Sequence, residues 1–72
     1  MIHEIMNLHS KITTKEIVRI VLPEELEIEV GRDDLLKETP TDMLRIIRAN
    51  GNIVTINPRF VVMVCTRERR EF

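Results

Sequence analysis

The last third of the chain constrains the fold most. Residues 48–64 run Arg-Ala-Asn-Gly-Asn-Ile-Val-Thr-Ile-Asn-Pro-Arg-Phe-Val-Val-Met-Val. Two turn dipeptides, Asn50-Gly51 and Asn57-Pro58, punctuate apolar runs rich in β-branched residues. Such runs bounded by turn residues read as strands. Residues 52–57 and 60–66 are therefore expected as two strands of a C-terminal β-hairpin, the centre of an antiparallel sheet.

Upstream the pattern is also strand-like. Residues 15–22 contain Ile17, Val18, Ile20 and Val21, and Pro23 stops the run because it cannot donate to a ladder. Residues 24–30 alternate, which puts Leu26, Ile28 and Val30 on an inner face and Glu25, Glu27 and Glu29 on an outer one. Gly31 ends that strand, and residues 33–37 fit one helical turn. Residues 39–51 carry both signals. Thr39-Pro40 resembles a helix start and Asn50-Gly51 a helix stop. Leu44, Ile46 and Ile47 running into Asn50-Gly51 equally fit a strand entering a hairpin. The strand reading is preferred because the next apolar run needs a neighbour. Residues 1–10 are a short helix or an arm, and residues 67–72 a charged tail.

The expectation is one small domain over residues 1–72, α+β or mostly β, with at most one or two short helices. A chain of 72 residues buries a modest share of its surface. Cys65 is the only cysteine, so no disulfide within the chain compensates, and a reduced, buried thiol in an intracellular, cytoplasmic protein is expected. The first residues lack the cationic layout of a signal peptide, and no apolar stretch is long enough to span a membrane. Self-association compensates instead. Both faces of 60–65 are apolar, which places Phe60, Val62 and Val64 in an oligomer interface.

Charge is divided unevenly. Residues 1–43 hold five basic and ten acidic residues, whereas residues 44–72 hold six arginines and two acids. Arginine is a rigid fork suited to carboxylates and phosphates. Arg48, Asn50, Arg59, Arg67, Arg69 and Arg70 are the candidate contacts for an anion or a nucleic acid. Glu25, Glu27 and Glu29 are the candidate acidic docking face. Catalysis has little support: Ser10 beside His9 lacks an orienting acid, and no metal-ligand spacing or glycine-rich phosphate loop occurs. No cofactor, metal or catalytic residue is expected.

Two resemblances are carried by short motifs. Arg48-Ala-Asn50-Gly51, five residues, then Asn57-Pro58-Arg-Phe-Val-Val-Met-Val64 resembles the motif of the small FlbD-type flagellar proteins, although there it opens the chain. That resemblance implies a non-enzymatic motility accessory. Arg19-Ile-Val-Leu-Pro23-Glu-Glu-Leu26, Val30-Gly31-Arg-Asp33 and Asn50-Gly51-Asn-Ile-Val-Thr-Ile56 are similar to the AbrB-type swapped-hairpin regulators, with residues 36–41 as an insertion. This second resemblance implies an intertwined dimer that binds DNA through arginines. The expected function is a non-enzymatic regulatory or adaptor module that self-associates and binds a protein partner. The alternatives are a DNA- or nucleotide-binding regulator, or a phage or mobile-element inhibitor of a host factor.

Overall fold

Ile2, Ile5 and Met6 recur at helical spacing, and the computed structural model, which describes residues 1–70, turns them inward from helix α1 (Ile2–Lys11). The apolar run that follows forms β1 (Glu16–Val21). Val18 and Ile20 face the core, Ile17 is buried on the opposite face beside the half-buried Arg19, and β1 is the middle strand of a sheet ordered β2-β1-β6. β2 (Glu27–Gly31) and β6 (Met63–Glu68) flank it, both antiparallel. A second antiparallel sheet is the meander β3 (Leu35–Glu38), β4 (Leu44–Ile47) and β5 (Ile53–Ile56).

The molecule is thus α+β, with one helix and two three-stranded antiparallel sheets among the described residues. One core draws on both sheets. Val18 and Ile20 from β1, Val30 from β2, Leu44 and Ile46 from β4 and Ile56 from β5 meet Ile2 and Ile5 of α1. Burying each such side chain contributes roughly 1.5–3 kcal/mol. The chain passes from the first sheet to the second at residues 31–34, and that corner shapes the site described below.

The structure alters several expectations. The 52–57 and 60–66 runs do not pair with each other: β5 pairs with β4 through the Asn50-Gly51 turn, while β6 returns to β1. The cause is local. Pro58 fixes its own φ, the Asn57 side chain accepts a hydrogen bond from the Arg59 amide, and residues 58–60 close a 3-10 turn. That turn carries the chain around a corner, and the Val62 amide then joins Val21 of β1 at 2.8 Å. Phe60 consequently lies in the turn rather than in a strand.

The acidic strand starts later than its alternation suggests. Pro23–Glu25 is a 3-10 turn in which Glu24 and Glu25 both have φ of 63°, so Leu26 is exposed instead of inward. Residues 35–38 form strand β3, not a helical turn. For 39–51 the strand reading holds. Gly51, at φ 93°, supplies the left-handed residue that the β4–β5 turn requires. The expected tail is shorter at its start, because Arg67 and Glu68 belong to β6. Glu71 and Phe72 lie outside the described residues. Cys65 is half-buried, not fully buried as expected.

Candidate functional site

The site is built around Asp34. The chain must turn from β2 into β3, and Gly-Arg-Asp-Asp is a turn sequence whose acidic side chains can satisfy nearby amides. Asp34 does this across both sheets. Its Oδ2 accepts from the Gly31 amide of β2 at 2.9 Å, and its Oδ1 accepts from the Ala49 amide of the β4–β5 turn at 2.9 Å. Arg48 completes the arrangement: its Nη1 lies 3.3 Å from Asp34 Oδ2 and also donates to the Glu29 carbonyl. Burial pushes the Asp34 carboxyl up, but the Gly31 and Ala49 amides and the Arg48 guanidinium outweigh it and hold the group below its ordinary value. Asp34 is therefore an anchored carboxylate.

Beside this anchor is a cleft of about 430 Å³ lined by Arg48, Arg67, Arg69 and Arg70. They come from different places. Arg48 follows β4, Arg67 is on the outer face of β6 opposite Ile17, and Arg69 and Arg70 follow β6. The Arg69 amide donates to the Lys15 carbonyl at 2.6 Å, which holds that segment against the start of β1. Two acids share the cleft: Glu29, which accepts from the Arg67 guanidinium, and Asp34. Among the described residues, four arginines against two carboxylates leave the lining at a formal +2, in a chain whose net charge is −1.

Four of the six expected anion contacts thus meet in one place, and two do not. Asn50 is exposed in the β4–β5 turn, where its Oδ1 accepts from the Asn52 amide at 2.9 Å. Arg59 lines a separate groove with Asp42 and the His3–Glu38 pair, whose side chains lie 3.4 Å apart. The acidic residues divide too. Glu27 and Glu29 lie on the outer face of the first sheet as their alternation implied, but Arg19 and Arg67 hold them. Glu25 sits in the preceding turn.

The expected interface residues also separate. Val64 packs against the core, opposite Ile20, while Phe60 and Val62 are 61% and 66% exposed. Phe60 lines an apolar groove of about 310 Å³ with Leu22, Pro23, Leu26 and Ile56, and Val62 and Met63 continue along the chain from it. Neither Asp34, which the sequence suggests is part of a solvated acidic turn, nor Leu26, expected on an inner face, was among the expected contact residues. The signal for Asp34 was Gly31 three residues upstream, a spacing at which an aspartate caps a turn amide.

Ser10 and His9 do not form a pair: the Ser10 hydroxyl donates to the Asn7 carbonyl, and His9 Nε2 lies 2.8 Å from the Gly31 carbonyl. Among the described residues, no group of three or more His, Cys, Asp or Glu could hold a metal ion, and no helix is long and apolar enough to cross a membrane. No family model matches the chain, and no curated protein or solved structure matches it.

Proposed function

We propose that this chain is a small non-enzymatic regulatory or adaptor module that self-associates and docks a protein partner through its apolar groove. One observation carries the reading: Leu26 and Phe60, both at least 60% exposed, line one groove at the end of the first sheet, and the equally exposed Val62 follows two residues after Phe60. Scattered exposed apolar residues are ordinary, but a grouped patch around a groove marks an interaction surface. A second copy or a partner that fills the groove removes this surface from water at about 25 cal/mol per Å². The acidic face adds little to docking, since Glu27 and Glu29 already have arginine partners within the chain. A second reading, a regulator that binds DNA or a nucleotide, is favoured by the arginine cleft.

The test is the solution mass of three proteins by size exclusion with light scattering. Wild type is expected as an oligomer, and Phe60→Ser and Val62→Glu as folded monomers with unchanged far-ultraviolet circular dichroism. Because both side chains are largely exposed, neither change buries a charge or opens a cavity in the monomer. A wild-type monomer, or variants that keep the oligomeric mass, would sink the groove as the self-association surface.

A further inference from the structure

We propose that the arginine cleft at the Gly31–Asp34 corner binds the terminal phosphate of a phosphate monoester, with Arg69 and Arg70 as the contacting forks. The division of labour among the four arginines leads to this. Arg48 is committed to Asp34 and to the Glu29 carbonyl, and Arg67 to the Glu29 carboxylate. Those contacts hold two of the four guanidiniums in place. Arg69 and Arg70 line the same cleft and, among the described residues, make no salt bridge.

Charge selects the ligand class. The described lining is formally +2, and a phosphate monoester carries about −1.5 to −2 at neutral pH, whereas a backbone diester or a carboxylate carries one charge. Two guanidinium forks together offer paired donors to a tetrahedral group with three free oxygens. Size agrees: about 430 Å³ falls within the range of small-molecule sites and exceeds what a bare phosphate fills, so part of the attached ester enters as well. The same chemistry is offered by a free nucleotide and by the 5′-phosphate of a nucleic acid.

Gly31 supplies the positional argument. A Cβ built there would lie 2.9 Å from Arg69 Nη2, so the guanidinium packs over a backbone position that has no side chain. That atom is the far end of a flexible side chain. Gly31→Ala therefore moves Arg69 without removing its charge and without disrupting the strand.

The experiment is isothermal titration calorimetry of the full chain with adenosine monophosphate, adenosine, inorganic phosphate, and one oligonucleotide bearing either a 5′-phosphate or a 5′-hydroxyl. Adenosine monophosphate is expected to bind and adenosine not. The Arg69→Ala, Arg70→Ala double variant should weaken binding at least about tenfold, the scale of losing charge-assisted hydrogen bonds. Gly31→Ala should weaken it several-fold with circular dichroism unchanged. Arg59→Ala, in the separate groove, and Phe60→Ser should leave it intact. Tighter binding of the phosphorylated oligonucleotide than of adenosine monophosphate would assign the phosphate to a nucleic-acid end, and the reverse to a free nucleotide. Equal affinity for the two oligonucleotides, undiminished binding in the double variant, or no heat with any phosphate would overturn the proposal.

Discussion

The corner at Asp34 and the outer face of the first sheet both pair acids with arginines, but in opposite surroundings. Asp34 is 9% exposed and accepts two backbone amides from different sheets as well as Arg48. On the outer face, Arg19 meets Glu27 through two contacts of 2.7 Å, with the side chains 33% and 36% exposed. By ion-pair geometry alone, the outer pair is the better one. By location, the corner should matter more, because water cannot replace what Asp34 accepts, while it reaches the partly exposed Arg19–Glu27 pair. What stabilises this fold electrostatically is the satisfaction of backbone donors at the junction, and the surface pairs mainly set which charges remain available to a partner.

The largest expected effect breaks that junction. Asp34→Ala leaves the Gly31 and Ala49 amides without their acceptor and Arg48 without its carboxylate, a loss of about 2–4 kcal/mol. For a domain of this size that is a large fraction of total stability. Urea denaturation followed by circular dichroism measures it. Asp34→Asn, which keeps one acceptor oxygen, should fall between the alanine variant and wild type. A cost for Asp34→Ala no larger than that of a surface substitution would mean that the two sheets are joined by the core alone.

The turns were legible in the sequence because turn chemistry is local. Pro23, Asn50-Gly51 and Asn57-Pro58 all lie at chain reversals or corners, and the strands fall between them. Pairing was less legible because it is not local. β6 pairs with β1 rather than with its nearest neighbour in sequence, and the deciding detail, Asn57 capping the Arg59 amide in a 3-10 turn, resembles an ordinary turn signal until its geometry is known. The arginine cluster was partly legible, since Arg67, Arg69 and Arg70 are close in sequence. That Arg48 joins them and Arg59 does not depends on how the second sheet folds across the corner. Asp34 was hidden for a related reason. Adjacent acids suggest a solvated turn, and only the position of the Ala49 amide makes one of them structural.

A pH titration sharpens the same comparison with a smaller effect. The Asp34 carboxyl titrates lower in the folded chain than its ordinary value of 3.8. The folded state therefore binds that proton less readily than the unfolded state. The stabilisation is fully present above the unfolded value and is lost as pH falls through the folded one. Urea midpoints measured down through that region should decline for wild type and decline less for Asp34→Asn. An identical acid limb in both proteins would show that Asp34 titrates alike in the folded and unfolded chains.

The smallest effect is expected at Glu27, where the test is most discriminating. Hydrogen bonding by Arg19 lowers its pKa as well, so titration alone does not separate it from Asp34. Stability does. Glu27→Gln removes an exposed charge whose place water takes and leaves no backbone donor stranded, so the urea midpoint should be indistinguishable from wild type in high salt and fall at most slightly in low salt. Its acid limb should keep most of the wild-type slope, in contrast to Asp34→Asn. If Glu27→Gln instead costs as much as Asp34→Ala, the two-contact geometry of the surface pair outweighs burial. The outer face of the first sheet would then be a structural element, and its arginines would not be available to any partner.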